Sequence, residues 1–116
     1  MIKMFTDLEV YQRSKELYSE IIKLTSTYPT EAKYIKDQTC RAANSIHANI
    51  AEGYGRSIAE FKNYLTRALG SCNEVLSHLD DSYRIARYSD EQKTKDLNDK
   101  YSVLGKQIYT LRQNWK

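Results

Sequence analysis

Apolar residues recur along this chain at steps of three and four, the interval at which an α-helix returns the same face to its core. Val10, Leu17, Ile21 and Leu24 mark the first stripe, broadened by Tyr11, Tyr18 and Ile22, with Arg13, Lys15, Glu16, Glu20 and Lys23 on the other side. A T-x-x-E box at Thr6 and Glu9 predicts the helix start, and Tyr28 and Pro29 predict its end. Thr30 is the expected cap of a second helix ending near Gly53, where glycine tolerates a left-handed closing turn. Ser57 and Glu60 form the next capping box. The stripe that follows, from Ile58 through Phe61, Leu65, Ala68, Cys72, Val75 and Leu79 to Ala86, predicts one long helix. Ser89 and Gln92 predict the start of the fourth helix, whose stripe is Leu97, Tyr101, Leu104, Ile108, Leu111 and Trp115. No strand pattern competes. Short connections force sequential helices to lie antiparallel, so the expected fold is all-α, an antiparallel up-down-up-down four-helix bundle occupying residues 1–116 as one domain.

The second helix departs from an ordinary core helix. Ile35, Thr39, Ala42, Ile46, Ile50 and Gly53 share its apolar face, whereas Arg41, Ser45, Ala48 and Glu52 form an adjacent stripe of small and polar residues. Helix three repeats the pattern with Arg67, Ser71, Glu74, His78 and Asp81 beside its apolar face. Two destinations fit these stripes: solvent, or a neighbouring helix approached closely because little side-chain bulk intervenes. Gly70 strengthens the second, because an exposed mid-helix glycine costs about 1 kcal/mol relative to alanine unless something packs close to it. Arg41, Ser45, Glu52, Arg67, Gly70 and Glu74 are therefore the candidate oligomer-interface residues. An arginine and a glutamate paired across helices would set register more than stability.

The stretch SIHANIAEGYGR, Ser45 to Arg56, also resembles a known signature. Together with DLEVYQRS from Asp7 and FKNYLTRALGSCNEVLSHL from Phe61, in the same order, it is similar to the four-helix-bundle family encoded in intervening sequences of bacterial 23S ribosomal RNA genes. That family is similar in turn to accessory variability determinant proteins of diversity-generating retroelements. His47 stands where many relatives carry proline. The resemblance implies a cyclic homopentamer; its retroelement branch implies nucleic-acid binding and association with a reverse transcriptase.

Charge refines this picture modestly. The formal net charge is only +3, but Lys100, Lys106, Arg112 and Lys116 have no acidic neighbour after Asp99. Lys62, Arg84 and Arg87 on helix three, with Lys106, Arg112 and Lys116 on helix four, are the candidate contacts to a phosphate backbone. Either these residues bind RNA or DNA, or they serve solubility in an oligomeric protein scaffold. Among ten tyrosines, most suit bundle margins, with the ring packed and the hydroxyl in water, as at Tyr11, Tyr18, Tyr64 and Tyr101; only Tyr54 sits in a turn that suits an exposed contact.

Other chemistry lacks its residues. A di-metal bundle needs Glu-x-x-His on two helices, and no Glu-x-x-His occurs. Gly53-Tyr54-Gly55 lacks the lysine and strand of a phosphate loop. His47 and His78 have no partnered nucleophile, so catalysis is not expected, nor is a cofactor or a metal. Cys40 and Cys72 read as isolated buried thiols. With neither a membrane-length apolar run nor a secretory leader, a cytoplasmic location is expected and no membrane contact.

Overall fold

A computed structural model describes residues 1–116 and contains four long helices and no strand: α1 (Glu9–Thr25), α2 (Lys33–Gly53), α3 (Ile58–Asp80) and α4 (Glu91–Asn114). They form an antiparallel bundle 44 Å long and about 20 Å across. Contacts far apart in sequence fix the directions. Ser14 meets His47, Arg41 meets Glu74, Arg112 meets Thr66 and Lys100 meets Glu20, so each helix runs against its neighbours. The four stripes converge on one core that holds Ile21, Ile46, Ile50, Leu65, Leu104 and Ile108 with no solvent exposure. Burial of that kind is worth roughly 1.5–3 kcal/mol per large aliphatic side chain and is the main force holding the bundle together.

The helix ends follow the expected boxes only in part. Ser57 caps α3: its Oγ accepts the Glu60 N–H at 3.2 Å and donates to the Glu60 carboxylate at 2.9 Å. Thr6 caps nothing. It lies in a 3₁₀ turn, Phe5–Asp7, and α1 begins at Glu9 because Leu8, 2% exposed, is drawn into the core just before it. Asp7 organises that turn by accepting the Lys3 and Met4 N–H groups at 2.9 and 3.0 Å, bonds that hold its carboxyl below the ordinary range. Asp90, not Ser89, caps α4 by accepting the Lys93 N–H at 2.8 Å; a charged cap also complements the helix dipole. Thr30 likewise starts a 3₁₀ turn that precedes α2.

Two ends fall short of expectation for a shared reason, hydroxyls that compete with the helix ladder. α1 stops at Thr25 because Thr25, Ser26 and Thr27 donate back to the Ile21, Lys23 and Leu24 carbonyls at 2.9, 2.6 and 2.7 Å. Ser82 donates to the His78 carbonyl at 2.8 Å, and α3 gives way there to a wider π turn, Asp81–Ile85. The extra residue carried by that turn turns Ile85 out to solvent and leaves Ala86 half-buried. Arg87 ends it with a φ of 57°, a left-handed conformation rare for a residue with a Cβ.

Close approach between α2 and α3 occurs at Gly53. A Cβ there would lie 2.4 Å from the Cβ of Tyr64, so no larger residue fits without moving α3. At Gly70, the position singled out from the sequence, a Cβ would meet nothing within 4 Å. Its space is open within the chain.

Candidate functional site

The polar stripes of α2 and α3 meet along one outer face. Arg41 donates to Glu74 at 2.6 Å, and the His78 ring nitrogen lies 3.3 Å from the same carboxylate oxygen. One turn on, Ser71 donates to Ser45 at 2.9 Å; beyond that, the Tyr64 hydroxyl donates to Glu52 at 3.3 Å. The guanidinium groups of Arg67 and Arg56 lie 4.6 and 5.0 Å from the Tyr64 ring centre. The structure thus joins Arg41, Glu74, Ser45, Glu52 and Arg67 in one ladder, with Gly70 beside it. The pairing proposed from charge spacing occurs inside a single chain. Its ion pair is half-exposed, so it contributes at most about 1 kcal/mol and serves mainly to hold the register of α2 on α3.

The candidate phosphate contacts divide between the two ends of the bundle. Arg112 donates through Nε to Thr66 at 2.7 Å, which places it one turn from Lys62, with Lys106 and Lys116 further along α4. Arg84 and Arg87 lie in and after the π turn, roughly 27 Å further along α3 at 1.5 Å per residue. Arg84 is also paired with Asp80 at 3.7 Å. The six therefore do not form one patch. The charge distribution favours the Lys62 end: residues 1–16, 43–69 and 103–116, the half carrying the α2–α3 turn, hold nine lysines and arginines against five carboxylates. The other half holds nine against ten. None of Lys62, Lys106, Arg112 and Lys116 has a carboxylate within 4.0 Å.

Aromatic exposure also differs from the sequence expectation. Tyr54 is half-buried, edge-on to Phe61 at 5.9 Å and to Trp115 at 6.1 Å, in a cluster that closes the bundle end. Tyr101 is fully buried with its hydroxyl unpartnered, where burial raises its pKa. The tyrosine exposed beside the basic residues is Tyr109, 55% accessible on α4. Its one sequence signal is its offset by one position from the buried Ile108.

Two shallow grooves flank α4. One, of about 540 Å³, runs between α4 and the start of the chain over an apolar floor of Ile2, Leu8, Val10, Val103 and Leu111, with Glu9 and Lys106 also lining it and the buried Gln107 Oε1 lacking a hydrogen-bond partner. The other, of about 580 Å³, lies between α3 and α4 above Leu69, Leu76 and Gly105, with Lys106 and Tyr109 on its rim. No group of three or more histidine, cysteine or acidic residues is arranged to hold a metal ion. His47 is buried between Tyr11 and Tyr18 with Nδ1 3.3 Å from the Ser14 hydroxyl, and burial followed by the nearby Lys15 charge lowers its pKa. α2 runs uninterrupted through it. Both cysteines are free; Cys72 is buried, with its thiol donating to the Tyr101 carbonyl and its pKa pushed up to about 11, while Cys40 is only partly covered.

With this geometry in place, residues 6–110 match the family described as 23S rRNA-intervening sequence protein. The chain belongs to that family. A crystal structure from Bacteroides thetaiotaomicron, described as a protein of unknown function from the S23 ribosomal protein family, superimposes with a TM-score of 0.82. It is 27% identical, and the alignment covers 90% of this chain and 99% of that one. No curated protein matches. The intervening-sequence family thus accounts for nearly the whole bundle, including both polar stripes and all of α3, though not Arg112 or Lys116. No helix is long and apolar enough to cross a membrane.

Proposed function

We propose that this intervening-sequence protein is a non-catalytic, cytoplasmic, ring-forming bundle that binds nucleic acid without strong sequence specificity. It would act as accessory to a nucleic-acid-handling protein such as a reverse transcriptase, as its resemblance to the retroelement proteins suggests. The observation that carries the binding reading is the segregation of charge: the excess of cations lies at one end of the bundle, where Lys62, Lys106, Arg112 and Lys116 have no carboxylate partner. Unpaired cations are the ones available to displace counterions from a phosphate backbone.

Assembly deepens the effect. A cyclic ring needs two unlike patches per subunit, because one face of each protomer meets a different face of the next. This chain has the small-residue polar ladder of α2 and α3 on one side and the apolar groove between α1 and α4 on the other. The pentamer number comes from the family resemblance; five chains of formal charge +3 would carry about +15 together, enough to attract a polyanion. The open space at Gly70 supports its place in such an interface, since nothing within the chain uses it.

Light scattering and an electrophoretic titration at low salt test both halves. The expected results are a mass several times 13.6 kDa and a retarded RNA or DNA band. Gly70→Leu, which has room in the protomer, should reduce the mass while leaving the helical signal intact. An assembled protein that shifts no nucleic acid would favour a second reading, a protein scaffold. The exposed Tyr34 and Ile85 at the charge-balanced end, each 78% accessible, are the observation that supports this alternative.

A further inference from the structure

The groove between α3 and α4 has a composition of its own. From Lys62 to Leu76 on α3 and from Ser102 to Lys116 on α4, the one acidic side chain is Glu74, which points to the α2 side and is held by Arg41. What faces the groove is an apolar floor of Leu69 and Leu76, the neutral polar groups of Asn73, Ser102 and Thr110, and the rim residues Lys106 and Tyr109. Towards the basic end the same seam continues through Thr66, which Arg112 reaches, and helical spacing puts Lys62 on that face of α3 one turn before Thr66. That track is about 21 Å long at 1.5 Å per residue. Tyr109 makes no ring contact with another aromatic residue or a cation, and more than half of its surface is open.

We propose that this groove seats single-stranded nucleic acid, with a base stacked on Tyr109 and the flanking phosphates held by Lys106, Arg112 and Lys62. The inference rests on the nucleic-acid reading above and specifies the form of the ligand. Charge selects a polyanion, since three cations face the track without a carboxylate to neutralise them. The exposed ring then selects among polyanions. A duplex buries its base faces and is far wider than the 8–10 Å between packed helix axes, whereas an unpaired strand offers a π-face at each nucleotide. Arg112 is already oriented by Thr66 and by Gln113 at 3.0 Å, so less side-chain freedom is lost when a phosphate binds. Asn73 supplies a neutral donor and acceptor, and Ser102, whose proton is held by the Asn98 carbonyl at 2.9 Å, an acceptor, groups that any base edge can use, which agrees with sequence-tolerant binding.

Fluorescence anisotropy with labelled oligouridylate, oligothymidylate and a duplex of equal length tests the proposal. The assembled full-length protein should bind the single strands at least about tenfold more tightly than the duplex. Tyr109→Ala should lose about tenfold in single-strand affinity, the order expected for one stacked base, and Tyr109→Phe should retain it. Tyr34→Ala, altering the exposed tyrosine at the other end of the bundle, should change nothing. Circular dichroism and light scattering on each variant check fold and mass. If single strand and duplex bind equally and Tyr109→Ala is silent, the groove assignment is overturned while the nucleic-acid reading stands. A Tyr109→Ala protein that folds but no longer assembles would overturn it too, by placing Tyr109 in a subunit contact. If wild type binds neither form at low salt, the underlying functional reading has failed.

Discussion

Gly53→Ala and Gly105→Ala make the same chemical change in the same fold and are expected to act with opposite sign. At Gly53 the added Cβ would stand 2.4 Å from the Tyr64 Cβ, 2.8 Å from its Cγ and 3.1 Å from Phe61 Cδ1. The Tyr64 Cβ is tethered to the α3 backbone and cannot swing aside, so relief requires α3 to move off α2. Overpacking of that kind costs about 1–3 kcal/mol. Gly53 is the last residue of α2, so the usual helix-propensity gain of alanine, about 1 kcal/mol in a helix interior, offsets little of it. At Gly105 the Cβ would meet only the Cys72 sulfur, at an ordinary 3.5 Å, in the middle of α4, and the propensity gain should appear nearly in full. For a chain of this size a kcal/mol corresponds to a Tm change of about 4 °C. Thermal unfolding followed by circular dichroism should therefore show Gly53→Ala lowered by roughly 4–12 °C and Gly105→Ala raised by up to about 4 °C. Equal or greater stability in Gly53→Ala would mean that α2 and α3 are not in contact there, and the register argued from Arg41–Glu74 and Ser45–Ser71 would fall with it.

His47 should make stability depend on pH. Its folded pKa lies below the ordinary value of about 6.5 because the ring is buried, so the unfolded chain takes up a proton first; stability is complete above that value and declines as pH falls below it. Urea titrations across this range should show the decline in wild type and a flatter profile in His47→Gln, with identical profiles counting against the assignment. Arg87→Gly should raise stability by about 1 kcal/mol, because glycine adopts the left-handed φ of 57° without a Cβ penalty. A fall in its urea midpoint would show that the Arg87 side chain contributes more than its backbone costs.

The architecture was legible because it rests on periodicity. Ile21, Ile46, Leu65 and Leu104 occupy the core that a three-four repeat assigns them, and the order of four antiparallel helices follows from the short connections between them. Helix ends were less legible, because a capping box competes with what surrounds it. Ser57 has no rival and caps α3, whereas burial of Leu8 overrides Thr6 and the stronger acceptor Asp90 displaces Ser89. The polar stripes were visible as stripes, but spacing on one helix does not say which glycine meets the next backbone, and within the chain the close approach falls at Gly53, while the space at Gly70 is open. Tyr54 looked exposed in its turn because the residues that cover it, Phe61 and Trp115, include one sixty-one positions away. Tyr109 gives no clear signal for the converse reason: it neighbours a core position, and only the packing of α4 against α3 shows that its ring is left outside.

The salt dependence of nucleic-acid affinity tests the central claim most directly. For single strands log K should fall linearly with log salt concentration, by about 0.7 for each phosphate neutralised. Measured on the assembled protein, the account predicts a steep slope that becomes shallower when Lys62, Lys106, Arg112 and Lys116 are replaced by glutamate, by up to about 2.8 units per bound track if all four make contacts. The same replacement made at Arg84 and Arg87, at the charge-balanced end, should leave the slope nearly unchanged. Undetectable binding at low salt, or a slope equally reduced by changes at either end of the bundle, would contradict it.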